Sequence, residues 1–306
     1  MTLTKKRELK GIWAPIPTPS DQNGGVDIVT TKSLVDHLIE SGIDGIFALG
    51  TSGEFAVLSA MERMRLSEAV IDAANDRVPV AIGISGTCVD DIVSFGKRIE
   101  DMGADAVMAT PPYYYQVGQK GIIDFYAILA DSFNLPLMVY NIPEWTHNFV
   151  EPDTVDLLAE QGLIRGMKYT ENNLFRLLEF ISKSGDKIQI FTGSDALALA
   201  CLLHGGAGAI MSSANVMPDV ASSIYDLYLS GKLGKAVQQQ MKLLPVIEAV
   251  SLGYFPAGLK YAMKLVGLPV GQVKRPLERL EPSQEREVEK LLSGVIRRDK
   301  SKFRLD

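Results

Sequence analysis

The sequence predicts an α/β protein: a (β/α)8 barrel of the TIM type, followed by an α-helical extension. Eight short apolar runs recur along the chain, and a stretch with helical spacing of apolar residues follows each run. Regular alternation of strands and helices implies a parallel sheet covered by helices. Eight such units within 306 residues fit a closed barrel.

The predicted strands are apolar runs bounded by Gly, Pro, Asn or Asp. They cover residues 11–19, 45–50, 78–85, 104–111, 135–143, 163–170, 187–193 and 208–214. An open doubly wound sheet is the alternative. That fold usually has a GxGxxG turn after its first strand, and GIWAPIPTP contains no such turn.

The predicted helices are amphipathic stretches between these strands. They cover residues 31–42, 60–76, 89–103, 121–134, 151–162, 172–185, 195–206 and 218–231. The pattern after Gly231 is helical only, in residues 232–251, 258–267 and 283–294. We therefore expect a catalytic barrel domain over residues 1–230 and a C-terminal helical extension over residues 231–306.

Composition excludes several classes of function. Hydrophobic residues make up 46% and charged residues 22% of the chain, as in ordinary globular proteins. A net charge of -6 gives no basic footprint for nucleic acid. No signal peptide or membrane span is visible, and neither Cys88 nor Cys201 belongs to a CxxC pair. We expect a cytoplasmic protein with buried free thiols.

Lys168 falls near the end of the sixth predicted strand, where a barrel carries its active site. Burial disfavours the charged form of an amine, and the neutral amine attacks ketones to form a Schiff base. The alternative is a structural ion pair with a carboxylate such as Glu171. Position alone leaves both interpretations open.

Tyr140 ends the fifth predicted strand, one strand away from Lys168 and at the same level. A phenol there can shuttle protons, although strand tyrosines also serve in packing. The LGTSGEF turn follows the second strand, and its backbone N–H groups can bind a carboxylate or phosphate. Thr51 and Ser52 add hydroxyl donors. Alone, this motif also fits an ordinary glycine-rich turn, with Glu54 favouring the next helix start.

Three further features lie after later strands. TPPYYYQ is a stiff aromatic loop that fits surface packing, a subunit contact, or a tyrosine that reaches a neighbouring site. The loops after strands seven and eight can hold phosphate, or present Asp195 and Ser212 to substrate hydroxyls. The three histidines are scattered, so the sequence predicts no metal site.

Together, GTSGE, PPYYY, YNIP and GMKYT resemble, in order and spacing, the dihydrodipicolinate synthase/N-acetylneuraminate lyase family of class I pyruvate-dependent aldolases. The resemblance runs from GIWAPIPTP to VKRPLERL. It implies a lyase that binds pyruvate covalently as substrate, uses no cofactor, takes an aldehyde as second substrate and assembles as a homotetramer, a dimer of dimers.

The resemblance also implies residue roles. Lys168 matches the Schiff-base lysine, Tyr140 the general acid/base, and Thr51 the hydroxyl that joins a proton relay. Tyr114, rather than Tyr113, matches the tyrosine that completes the relay from a neighbouring subunit. The implied substrate-binding residues are Ser52, Gly193, Asp195, Ile210, Ser212 and Trp145.

Departures from the family pattern narrow the substrate. Dihydrodipicolinate synthases have an arginine for the carboxylate of aspartate semialdehyde where this chain has Trp145, and an indole cannot replace a bidentate guanidinium. N-acetylneuraminate lyases carry an Asp–Glu pair where this chain has Asp195 and Ala196. We therefore expect an aldolase for a 2-oxo-3-deoxy sugar acid, of the 2-keto-3-deoxygluconate type.

The alternatives within the family are a dihydrodipicolinate synthase and an N-acetylneuraminate lyase-like enzyme. Outside it, a keto-acid-binding regulatory barrel without turnover fits less well, because lysine, tyrosine and threonine are retained together. A phosphate-binding isomerase-type barrel, suggested by GGAGAIMSS, gives Lys168 no role.

Overall fold

The computed structural model describes residues 8–296, and its eight parallel strands close into a barrel. The strands are β1 (Gly11–Pro15), β2 (Gly45–Ala48), β3 (Val80–Gly83), β4 (Ala106–Ala109), β5 (Leu137–Asn141), β6 (Gly166–Tyr169), β7 (Gln189–Thr192) and β8 (Gly208–Ile210). They pair in chain order, and β8 closes the ring on β1. The predicted TIM barrel is confirmed.

Helices follow the strands around the barrel. They are α1 (Ile28–Glu40), α2 (Ala60–Ala74), α3 (Val89–Met102), α4 (Gln119–Ser132), α5 (Pro143–Thr146), α6 (Pro152–Glu160), α7 (Leu174–Ser184), α8 (Ala198–Leu203) and α9 (Pro218–Leu229). The extension contains α10 (Leu233–Val250), α11 (Ala257–Leu265) and α12 (Pro282–Ile296). None of the helices within residues 8–296 combines the length and apolarity that a bilayer crossing requires.

Local sequence signals explain where helices begin. The side chain of Asp27 accepts the N–H of Thr30 before α1. Ser59 and Glu62 form a reciprocal capping box at the start of α2. Such caps satisfy the amide donors that the first helical turn leaves unpaired.

Two apolar layers hold the barrel. Alternate strand residues fill its interior, including Trp13, Phe47 and Phe191. A larger layer lies between the outer strand faces and the helices. The interior is therefore packed below the mouth, and most of the polar residues of the strands lie near their carboxyl ends.

Several details differ from the sequence expectation. The short helix α5 was not predicted, and the stretch expected to be helical from residue 195 begins as a 3-10 turn, Asp195–Leu197. The expectation that both thiols are buried is wrong for Cys88, which is exposed in the cap before α3, whereas Cys201 is buried. The domain boundary expected at residue 230 falls between α9 and α10 and stays a prediction, and residues 1–7 and 297–306 lie outside the described residues.

Candidate active site

Lys168 and Tyr140 face each other across neighbouring strands. Their Cα atoms are register partners of β6 and β5. Lys168 is only 4% exposed, and its Nζ donates a hydrogen bond to the Tyr140 hydroxyl at 3.3 Å. The same Nζ lies 4.4 Å from the centre of the Tyr140 ring. The amine is therefore held at the barrel mouth, beside a group that can exchange protons with it.

Thr51 extends this contact into a chain of three groups. Its Oγ1 lies 3.0 Å from the Tyr140 hydroxyl, at hydrogen-bond distance. Thr51 is in the turn after β2, so residues from three strands converge on the phenol. The arrangement joins a hydroxyl, a phenol and an amine, the set needed for proton transfer around a nucleophilic lysine.

The turn after β2 offers donors for an anion. Within residues 8–296, the amides of Thr51 and Ser52 have no protein acceptor. The hydroxyls of Ser52 and Ser212 lie 3.4 Å apart. Successive free amides with hydroxyls beside them make a concave donor surface that suits a carboxylate.

Asp195 is buried and binds the loop after β8. Its carboxylate accepts the N–H groups of Ser212 at 3.1 Å and Ser213 at 2.6 Å. Burial raises the pKa of Asp195, and these backbone donors and Lys168 oppose that shift. Asp195 therefore positions Ser212, rather than standing free at the cavity surface.

Gly193 and Ile210 complete the predicted set. A Cβ on Gly193 would lie 2.7 Å from Lys168 Cε, and closer still to Thr170 Oγ1. Any side chain at this position would displace the side chains of Lys168 and Thr170. Ile210 is buried in the interior layer with Tyr140, at the carboxyl end of β8.

Glu54 has a role that the sequence did not indicate. It is buried, has a left-handed backbone with φ of 59°, and pairs with Lys260 of α11 at 2.5 Å. Lys260 also donates to the carbonyls of Thr18 at 2.8 Å and Gln272 at 2.9 Å. Burial lowers the pKa of Lys260, and the Glu54 carboxylate opposes that shift. The pair joins the extension to the turn that carries Thr51.

A cavity of about 140 Å³ adjoins Thr51 at the barrel mouth. Loops after several strands and residues of the extension line it: Thr51, Glu54, Phe55, Ala56, Val57, Thr110, Tyr113, Ile142, Trp145, Thr146, Phe255, Pro256 and Leu277. None of these lining residues carries a positive charge. Trp145 is 50% exposed and lies in the cavity wall.

The three tyrosines after β4 have different surroundings. Tyr113 lines the cavity and packs edge-on against Phe55. Tyr114 is 83% exposed in the single chain, with a φ of 79° that is uncommon for a residue other than glycine. Within the described residues the Tyr140 hydroxyl contacts Thr51 and Lys168, and Tyr114 packs against Tyr115 instead, so a role for Tyr114 in that proton relay calls for a second subunit.

The contacts do not support the alternative interpretation of Lys168, which is a structural ion pair with Glu171. Glu171, the expected ion-pair partner, accepts a hydrogen bond from Tyr169. Within residues 8–296, no carboxylate forms an ion pair with Lys168. No cluster of His, Cys, Asp or Glu within that range could hold a metal ion.

The pair between Glu54 and Lys260 is a support of the site that the sequence does not predict. The sequence indicates only a helix start for Glu54 and gives no role to Lys260. A signal for Lys260 does exist, because it lies in the otherwise apolar stretch GLKYAM, where a lysine on a buried face needs a partner.

Comparisons with known proteins agree with this geometry. The Dihydrodipicolinate synthetase family model matches residues 8–295. The chain is 35% identical to the 4-hydroxy-tetrahydrodipicolinate synthase of Methanocaldococcus jannaschii, over 94% of this chain and 98% of that protein. It is 34% identical to the probable 2-dehydro-3-deoxy-D-pentonate aldolase YjhH of Escherichia coli K12, over 86% and 89% of the two chains.

Among solved structures, the chain is similar to YagE, a prophage protein of Escherichia coli K12 that belongs to the dihydrodipicolinic acid synthase family and was crystallised with pyruvate. The TM-score is 0.91 at 32% identity, over 94% of this chain and 99% of YagE.

A pyruvate-dependent class I aldolase is thus the class of protein that fold, site and comparisons define. The chain belongs to the dihydrodipicolinate synthetase family. Enzymes of this family are lyases that bind pyruvate covalently as a Schiff base and need no cofactor. The resemblance seen in the sequence is confirmed, and the non-enzymatic binding barrel is set aside.

Proposed function

We propose that this enzyme is an aldolase for a 2-oxo-3-deoxy sugar acid of the 2-keto-3-deoxygluconate type. It cleaves this acid to pyruvate and a neutral hydroxyaldehyde, and forms it from the same two compounds. This proposal rests on one observation: none of the described residues that line the cavity carries a positive charge, and Trp145 is among them. An aldehyde with its own carboxylate would lose hydration there without gaining an ion pair. A neutral aldehyde avoids that loss.

In this proposal Lys168 is the nucleophile. Its neutral amine attacks the ketone carbon of pyruvate, and the carbinolamine loses water to give an iminium ion. Loss of a proton from the methyl carbon gives an enamine, whose carbon forms a bond to the aldehyde carbon. The aldehyde oxygen takes up a proton, and water then hydrolyses the imine to release the hydroxy keto acid and the amine.

Tyr140 is proposed to move the protons. Its hydroxyl lies 3.3 Å from the amine and 3.0 Å from the Thr51 hydroxyl. It can therefore transfer a proton when the carbinolamine loses water and again when the aldehyde oxygen is protonated. Tyr114 of a neighbouring subunit would complete the relay. A homotetramer and a cytoplasmic location stay predictions.

The carboxylate of pyruvate is proposed to bind the amides of Thr51 and Ser52. Ser212, which Asp195 positions, has its hydroxyl 3.4 Å from that of Ser52 and is proposed to contact the substrate. Gly193 gives the lysine room, and Ile210 supports the site from below. Trp145 is proposed to contact the aldehyde portion.

One similar protein supports this substrate class. YjhH is named a probable 2-dehydro-3-deoxy-D-pentonate aldolase, an enzyme for a short sugar acid. A second candidate is 4-hydroxy-tetrahydrodipicolinate synthase, the name of the relative at 35% identity. That reaction uses aspartate semialdehyde, whose carboxylate would meet Trp145 instead of an arginine.

A panel of aldehydes tests the proposal. The enzyme is assayed with pyruvate and glycolaldehyde, D- and L-glyceraldehyde, aspartate semialdehyde or N-acetylmannosamine, and kcat/KM is measured for each. We expect the short hydroxyaldehydes to give the highest values. Preference for aspartate semialdehyde would contradict the proposal and support the synthase.

The variant Trp145→Arg provides the matched comparison. A guanidinium at this position adds a partner for a carboxylate. We expect kcat/KM for aspartate semialdehyde to rise by about tenfold or more, as one charge-assisted hydrogen bond allows. An equal change for neutral aldehydes would show that the cavity charge does not set the preference.

A further inference from the structure

One buried hydroxyl at the barrel mouth has no partner. Thr110 follows β4 directly and is 3% exposed, and its Oγ1 makes no hydrogen bond within residues 8–296. Buried hydroxyls are nearly always hydrogen-bonded, because an unpaired one has lost its hydration without replacement. An unpaired hydroxyl in a cavity wall therefore points to a partner supplied by a ligand.

The backbone around Thr110 is fixed on both sides. Its N–H donates to the Ser85 hydroxyl at 2.9 Å. The Tyr126 hydroxyl donates to the carbonyl of Ala109, the preceding residue, at 2.8 Å. The side chain is thus carried by an anchored strand end, and recognition groups held in this way are already positioned for a ligand.

Thr110 lines the same cavity as Thr51. The hydroxyl of Thr51 is engaged with Tyr140, and that of Thr146 donates to the carbonyls of Ile142 and Asn148. Thr110 is therefore the lining threonine whose hydroxyl is still unused. The remaining wall is largely apolar, so one hydroxyl there has a large effect on which aldehydes fit.

We propose that Thr110 determines specificity by binding the hydroxyl on the carbon next to the aldehyde carbon. This inference rests on the proposed function. In the cleavage direction, the group recognised is the hydroxyl on C5 of the 2-oxo-3-deoxy acid. The proposed pyruvate contacts come from Lys168, Thr51 and Ser52, so the contribution of Thr110 is expected to fall on the second substrate.

The test compares glycolaldehyde with acetaldehyde, which lacks that hydroxyl, at saturating pyruvate. The readout is the ratio of kcat/KM for the two aldehydes in the wild type, in Thr110→Val and in Thr110→Ser. We expect Thr110→Val to lower the ratio about tenfold, since one hydrogen bond is lost. Thr110→Ser keeps a hydroxyl and should retain most of the wild-type ratio.

Trapping of the pyruvate imine by borohydride in each variant reports whether the lysine site is intact. A wild-type ratio in Thr110→Val overturns the inference, as does an equal loss with both aldehydes. If the wild type itself prefers aspartate semialdehyde, the proposed function fails, and the inference fails with it. If the wild type prefers glycolaldehyde and Thr110→Val keeps that preference, only the inference fails.

Discussion

Lys168 is a buried amine whose direct contacts are a phenol and aromatic rings. Its Nζ contacts the Tyr140 hydroxyl and lies 5.3 Å from the Phe47 ring centre. Among the described residues no carboxylate forms an ion pair with this amine, so no salt bridge has to break before it reaches a bound ketone. The amine is thereby available for covalent chemistry.

Gly193 leaves space for this amine, and Gly193→Ala tests that role. The added methyl would lie 2.7 Å from Lys168 Cε, so the lysine must move. We expect the rate of imine trapping with pyruvate to fall at least tenfold, in keeping with the sensitivity of reactions to small misplacements. Gly234→Ala, where no atom lies within 4 Å, is the control and should leave trapping unchanged. Equal rates in the two variants would contradict the steric account.

Asp44 predicts a pH dependence of stability. Burial raises its pKa to about 6, although the Ile12 amide donates to it at 2.7 Å. The folded state holds this proton more tightly than the unfolded state, so the group's contribution to stability is largest in acid and is lost as pH rises from about 4 to 6. The loss is complete about one unit above pH 6.

The variant Asp44→Asn removes this titration while keeping an acceptor for Ile12. Between pH 4.5 and 7.5 the variant should gain roughly 2 kcal/mol relative to the wild type. Urea unfolding of both proteins at the two pH values measures the difference. The same wild-type-to-variant difference at both values would show that Asp44 does not titrate as expected.

At the scale of elements, the turn after β2 depends on the C-terminal extension. Glu54 in that turn pairs with Lys260 of α11, and the Thr18 hydroxyl donates to the Gly53 carbonyl at 2.5 Å. Gly53 and Glu54 directly follow Thr51 and Ser52. These contacts therefore fix the backbone next to the proposed pyruvate-binding residues. The extension is thus part of the support of the active site.

Lys260→Met tests this support, because methionine fills the space but leaves the Glu54 carboxylate buried without its cation. Removing one partner of a buried pair typically costs about 3–5 kcal/mol. We expect a lower free energy of unfolding, together with a KM for pyruvate raised by about tenfold as the donors shift. Lys264→Met, on the exposed side of α11, is the control. An unchanged KM in Lys260→Met would limit the pair to stability alone.

The sequence predicted the elements well and their long-range contacts poorly. Each strand and helix is encoded by local periodicity and by caps such as Ser59 with Glu62, so their order was visible. The pair between Glu54 and Lys260 joins segments far apart in the chain, and no local pattern encodes it. The helix α5 was missed because YNIPEWT is too short for periodicity to register.

At the scale of the whole molecule, the barrel brings strand ends together and the extension closes one side of the cavity. Strand order predicted that Lys168 and Tyr140 lie side by side, and the register confirms it. The position of Thr51 beside Tyr140 was implied by the family resemblance and not by strand order. The cavity wall did not follow, because Phe255 and Leu277 belong to a segment that the sequence presented as an appendage.

The exposed Tyr114 predicts that the site is completed between subunits. Tyr114→Phe should keep the pyruvate imine but lose turnover by roughly 10²–10⁴-fold, as expected for one acid–base group. Native mass measurement should give a tetramer.

A mixture of Tyr114→Phe and Lys168→Ala chains, dissociated and reassembled, should regain activity, because an intact lysine then meets an intact tyrosine. Failure to regain activity in hybrids would place any role of Tyr114 within its own chain.

The most direct test of the whole account is covalent capture of pyruvate. The enzyme is incubated with pyruvate, reduced with borohydride and digested, and the modified peptide is mapped by mass spectrometry. We expect one adduct, on Lys168, in the wild type and in Tyr140→Phe, with most turnover lost in the latter. An unmodified Lys168, or an adduct on another lysine such as Lys260, would contradict it.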